Sequence, residues 1–293
     1  MTLAHSILAT LAYHDIFDYP LTARETHRYL VERRATQSQV DKILIQLRKE
    51  KKVAVNNGYF YLKGRSKIVA LRKQRNRLSQ TKLKRASFFT QILKIVPTLK
   101  LVAISGALAM ENSHKDDDID LAQVTSAGSL WTTRFLANML LMPFKRDPQG
   151  KKIADRACLN IFIEESDLKI RPENLYLAHE IAQMKPLWDR EGTYARFIKA
   201  NSWIKKYLPN WQPQETVNGK WKMVNGRARK IYSLFTIHYS LLESLLRAFQ
   251  LWYMKSKTTT EKIGKTQLFF HPVDTQKWVI GEYQKRLMRL FSN

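Results

Sequence analysis

Apolar residues recur along this chain with two different periods, and the changes of period divide it. Leu3, Ile7, Leu8 and Leu11 fall at helical spacing. Pro20 interrupts the chain, and Thr22-Ala-Arg-Glu25 then forms a capping box that opens a second helix to about Val31. Thr36-Gln-Ser-Gln39 opens a third, with Val40, Ile43, Leu44 and Leu47 on its inner stripe. Residues 53–55 and 59–61 flank Asn57-Gly58, the strongest short hairpin signal. A linker and a long basic helix fill 64–97; Val69, Leu78, Phe89 and Leu93 lie on its apolar side, and Pro97 ends it. Residues 99–104, 119–124 and 158–163 read as strands, with a helix over 130–144 before the last. Beyond Pro172 the pattern is mostly helical, over 175–184, 194–207, 230–254 and 275–291.

Three helices followed by a hairpin is the order of a winged helix, so residues 1–63 are expected to form a winged helix-turn-helix domain. Its third helix exposes Gln37, Gln39, Lys42, Gln46, Arg48 and Lys49, which suit either a DNA groove or a protein surface. The expected fold class is α+β, with a central α/β core over 98–168, the helix at 69–96 packed on it, and a helical C-terminal domain over 169–293. A chain of 293 residues is long enough for two or three such domains.

Charge changes the picture. The formal net charge is +25, and no acid lies between Glu50 and Glu111. That interval holds fourteen of the basic residues, and such an asymmetric field attracts polyanions. Lys73, Arg75, Arg77, Lys82, Lys84 and Arg85 are the candidate nucleic-acid contacts. The single cysteine, Cys158, excludes an internal disulfide and any all-cysteine zinc site. The N-terminus lacks a basic leader pattern, and the longest apolar run, 135–144, is about half of what spans a bilayer. The expectation is a cytoplasmic protein with no membrane partner.

Candidate chemistry concentrates in one stretch. Ser105-Gly106-Ala107 follows the run 99–104, and Asp118-Ile119-Asp120 opens the next. Residues i and i+2 of a strand point to one face, so Asp118 and Asp120 can present paired carboxylates. Such a pair is costly to ionise until a cation joins it. Mg²⁺ held by one or two carboxylates and by substrate phosphates is a common arrangement. A small-residue turn with free N–H groups suits phosphate.

This spacing resembles the nucleotidyltransferase superfamily, whose signature is an apolar residue, Gly and Gly or Ser, followed about ten residues later by two acids alternating with apolar residues. The run from Ser105 through Asn112, then Asp116 through Leu121, is similar to its minimal branch, and the likeness covers about residues 70–165. The resemblance implies a mixed sheet, Mg²⁺ on Asp118 and Asp120, and an NTP whose phosphates meet Ser105, Gly106 and Ala107. It implies transfer of a nucleoside monophosphate to an acceptor, for which the charge favours RNA. Two positions depart from the family. Ala107 stands where Ser commonly holds a phosphate, and Asn160 stands at the third carboxylate. Asp155 or Glu164 are the sequence candidates to compensate. The alternative reading is a winged-helix nucleic-acid-binding regulator, possible in a toxin–antitoxin pair, whose degenerate domain binds nucleotide without turnover.

Overall fold

The computed structural model describes residues 1–147, 151–213, 236–255, 262–270 and 275–292. The chain is mixed α+β. Helix α1 (Leu3–Asp15), strand β1 (Leu21–Thr22), helices α2 (Ala23–Arg28) and α3 (Gln37–Lys49), and strands β2 (Val53–Asn56) and β3 (Tyr59–Leu62) form the N-terminal unit. Both expected capping boxes are present. Thr22 Oγ1 accepts from the Glu25 amide while the Glu25 carboxylate accepts from the Thr22 amide, and Thr36 and Gln39 repeat the exchange. Asn57 and Gly58 both adopt positive φ, as the two-residue turn between β2 and β3 requires. The three strands pair antiparallel in the order β1-β3-β2 over Ile7, Leu11, Leu44 and Leu47.

Helix α4 (Lys67–Leu93) leads to the larger sheet. Strands β4 (Leu99–Ile104) and β5 (Ile119–Thr125) pair antiparallel and are joined through the one-turn helix α5 (Gly106–Ala109). Helix α6 (Leu130–Leu140), followed by a short 3₁₀ turn at Met142–Phe144, crosses to β6 (Ala157–Glu164), which lies parallel to β5. The expected single helix over 130–144 is thus divided, and Pro143 accounts for the break.

The boundary expected at residue 168 does not divide the fold. After α7 (Leu175–Gln183), strand β7 (Lys185–Asp189) adds to the free edge of β4. The expected helix over 194–207 is two, α8 (Thr193–Ala200) and α9 (Ile204–Tyr207). Helix α10 (Thr236–Met254) is described from Thr236, and the start of the expected 230–254 helix lies outside the described residues. Strands β8 (Lys262–Ile263) and β9 (Gln267–Phe269) extend the sheet beyond β6, before α11 (Thr275–Phe291). The strand order is β7-β4-β5-β6-β9-β8, so both flanks come from a region read as mostly helical, with no strand expected there. These strands are two to five residues long, too short for a period to register against their neighbours.

Two apolar layers cover the sheet. One face packs Phe89, Leu93, Leu130 and Trp131 from α4 and α6; the other packs Ile181 of α7, Phe197 of α8, and Leu208 and Trp211 just after α9. Trp211 is a buried plug whose Nε1 donates to the Ala182 carbonyl at 2.9 Å, and Trp221 lies outside the described residues. Glu243 of α10 accepts from the Trp131 and Thr132 amides at 2.6 and 2.8 Å, placing a carboxylate at the positive end of α6. Among the described residues, no helix is long and apolar enough to cross a membrane.

Candidate functional site

Strand β4 ends at Ile104, Ser105 is the N-cap residue of α5, and the chain turns into that helix through Gly106 at φ +63°. A Cβ there would lie 2.7 Å from Asp120 Oδ2, so glycine is required both by the backbone and by the carboxylate against it. Ser105 N–H donates to the Asp120 carbonyl at 3.1 Å, which ties the turn to the head of β5. Asp118 immediately precedes that strand and Asp120 lies within it.

The register of β5 on β6 sets Asp120 opposite Cys158 and Leu121 opposite Leu159, after which Ala122 faces Ile161. Asn160 is therefore the extra residue of a β-bulge, a device that re-aims a side chain. Its Nδ2 donates to Asp120 Oδ1 at 2.7 Å, while its Oδ1 is buried without a partner among the described residues. One ligand atom each from Asp118, Asp120 and Cys158 falls within 4.8 Å of the others. Arg146 Nη1 donates to Asp118 Oδ2 at 2.8 Å.

The electrostatics follow from this crowding. Burial, and then the neighbouring Asp118 carboxylate, push Asp120 up from the usual carboxylate range. Burial, reinforced by both aspartates, pushes the Cys158 thiol up as well, so it stays protonated and inert. The two carboxylates suit a hard divalent cation, with a neutral thiol alongside and the Asn160 amide, were it to turn its oxygen inward, as a further oxygen donor. Such an ion would share Asp118 with Arg146 or use its other oxygen.

The sequence-predicted residues divide by place. Ser105, Gly106, Asp118, Asp120 and Asn160 come together, and Ala107 is exposed at the turn. Ser105 Oγ is buried and has no partner among the described residues. Neither sequence candidate for a third carboxylate joins them. Asp155 is paired with Lys82 at 2.9 Å and Arg85 at 3.1 Å. Glu164, at the opposite end of β6, accepts from Ser166 Oγ at 2.7 Å, and the bulge at Asn160 breaks the alternation that would have aligned the two. The carboxyl that does border the site is Glu180 of α7, which lines a cavity with Gly106 and Asp120. Burial pushes it up to about 7.

Two of the six expected nucleic-acid contacts are corrected. Arg75 is buried and donates to the Phe17 carbonyl at 3.0 Å and to Asn112 Oδ1 at 3.3 Å. Lys82 is buried and donates to the Lys115 and Asp117 carbonyls at 3.1 and 2.6 Å, beside Asp155. These cations fasten α4 to the N-terminal unit and to the loop that delivers Asp118. A basic residue leaves no trace in sequence of whether its partner is solvent or a distant carbonyl. Lys73, Arg77, Lys84 and Arg85 remain exposed, the last paired with Asp155. His271 lies outside the described residues.

No protein family, curated protein or solved structure shows significant similarity to this chain.

Proposed function

We propose that the chain is a divalent-metal-dependent nucleotidyltransferase that moves a nucleoside monophosphate from an NTP to a hydroxyl acceptor. The observation that carries this reading is the close pair Asp118 and Asp120, with Asp120 against the positive-φ Gly106 and the Asn160 amide on Asp120. Asp118, Asp120 and Asn160 Oδ1 would hold the metal, with Mg²⁺ favoured by the oxygen donors. When bound, the ion would neutralise phosphate charge as pyrophosphate leaves. The turn at Ser105, Gly106 and Ala107 would receive the β and γ phosphates through backbone N–H groups. Lys82 would act at one remove, by holding the loop before Asp118.

A second reading is supported by the hydrogen bonds within the site. Asn160 donates to Asp120 and Arg146 to Asp118, so each aspartate already has a partner. That favours a regulator that binds nucleotide without turnover. The N-terminal unit, read as a winged helix from its element order, would then contact DNA or RNA, together with Lys73, Arg77 and Lys84.

The deciding experiment is transfer of label from each of four α-labelled NTPs, with Mg²⁺ or Mn²⁺, to RNA, protein or small-molecule pools. Transfer by the native protein but not by Asp118→Ala or Asp120→Ala establishes the enzyme. Transfer that survives both substitutions removes it. Metal-dependent NTP binding without transfer to any pool selects the regulator.

A further inference from the structure

The cavity beside Gly106 and Asp120 has a composition at odds with the rest of the molecule. Its volume is about 230 Å³, and one wall belongs to the N-terminal unit. Tyr13, Phe17 and Tyr176 line it together with Asp120 and Glu180. No lysine or arginine lines it among the described residues, although the chain carries a net charge of +25. His14 also borders the space, but burial holds it down to about 4, so it adds no charge near neutral pH. Two of the rings already have a face covered: Tyr19 by the Arg72 guanidinium at 3.9 Å and Tyr13 by the His179 ring at 3.9 Å.

Glu180 is the unexplained group. It has no hydrogen bond or ion pair among the described residues, and burial is the sole cause of its raised pKa. The same residue reaches a second, apolar cavity bordered by Arg171 and Lys262, yet neither cation pairs with it. Glu180, Tyr13 and Tyr176 line this one space, and burial, then the Glu180 carboxylate and Tyr176, raise the Tyr13 hydroxyl. Aromatic rings and a carboxyl without a cationic partner around one partly enclosed cavity suit a ligand of positive charge. They repel polyanions such as RNA.

We propose that this cavity binds a small hydroxyl-bearing organic cation, held between Tyr13, Phe17 and Tyr176 with its charge on Glu180. Binding follows from the cavity alone. The further role of this molecule as acceptor rests on the nucleotidyltransferase reading, since Asp120 shares the cavity. In that role its hydroxyl oxygen forms a bond to the α-phosphorus. The bond from that phosphorus to the oxygen bridging to the β-phosphate breaks, pyrophosphate leaves with the electron pair, and the hydroxyl proton passes to water.

The test titrates the full chain, in saturating Mg²⁺, with choline and with its uncharged isostere in which carbon replaces nitrogen. Calorimetry is expected to show choline binding at least tenfold tighter than the isostere. Glu180→Gln, with a melting temperature no lower than the native one, is expected to weaken choline at least tenfold and to leave the isostere unchanged. Equal affinity for the two compounds, absence of choline binding, or indifference to Glu180→Gln overturns the site. If the variant does not fold, the comparison of choline with its isostere on the native protein still decides. Labelled-NTP transfer is then run on the bound cation. Label on choline supports the acceptor role; binding without label refutes that role and leaves the cation site standing.

Discussion

Replacing Gly106 with alanine probes the site at its tightest point. Two costs are expected. The first is backbone: at φ +63° an L-residue pays about 1–2 kcal/mol. The second is collision: a Cβ 2.7 Å from Asp120 Oδ2 forces that carboxylate to move. Leaving its rotamer costs about 0.5–1.5 kcal/mol, and losing the Asn160 hydrogen bond about 0.5–1.5 kcal/mol more. Gly128 supplies the control. Its φ is +64°, but no atom lies within 4 Å of an added Cβ, so Gly128→Ala carries the backbone cost alone. Urea unfolding is expected to place Gly106→Ala about 1–3 kcal/mol below Gly128→Ala, as the sum of the two smaller costs. Metal-dependent NTP binding should fall for Gly106→Ala and hold for Gly128→Ala. If transfer is present, displacement of Asp120 should reduce it by on the order of 10²-fold. Equal unfolding midpoints for the two variants, with nucleotide binding intact in both, would refute the claim that Gly106 and Asp120 are built against each other.

Asn160→Asp would put a third carboxyl beside two partly buried acids; metal-free stability at pH 8 should drop, and Mg²⁺ should restore it, read as a larger Mg²⁺-induced rise in melting temperature than in the native protein. Lys82→Ala should cost about 1–3 kcal/mol, because it removes a buried ammonium from the Lys115 and Asp117 carbonyls while Asp155 keeps Arg85 and the Asp117 carbonyl keeps the Asp155 amide; Lys84→Ala, at an exposed position, should stay within about 0.5 kcal/mol by the same urea assay. His14 and Glu180 should bend the pH profile of stability in opposite senses. Burial holds His14 down to about 4 from 6.5, so the unfolded chain takes up protons that the folded chain refuses, and stability is lost as pH falls through that window. Glu180 is raised from 4.5 to about 7, so the folded state holds the extra proton and stability is lost as pH rises through that interval. Removing the second effect with Glu180→Gln should steepen the gain in urea midpoint between pH 5 and 7; profiles parallel to the native one would contradict this.

What the sequence disclosed was local. The Gly106 turn and the Asp118/Asp120 pair lie within sixteen residues, and period-2 alternation fixes their common face. The capping boxes and the Asn-Gly hairpin are likewise written within four or five positions. The rest of the site is assembled by chain reversal. Cys158 meets Asp120 through strand register, Asn160 turns inward because of a bulge, and Glu180 arrives on a helix from beyond the core segment. Nothing near Glu180 in sequence separates it from an ordinary surface acid on an amphipathic helix. Arg75 and Lys82 show the converse error: a residue counted toward an outward field spends its charge inside.

The N-terminal helix wall of the cavity has a consequence for the protein as a machine. Tyr13 stacks on His179 of α7 with ring centroids 3.9 Å apart, and the Phe17 carbonyl is held by both Arg75 and Asn112. The N-terminal unit cannot tilt away without opening the space beside Asp120. Occupancy and docking are therefore linked quantities: whatever fills the cavity tightens the hold on the first helix, and whatever partner pulls on that unit loosens the occupant by the same factor. Cutting the chain near residue 63 would not release an autonomous core but one missing the side of its own vessel.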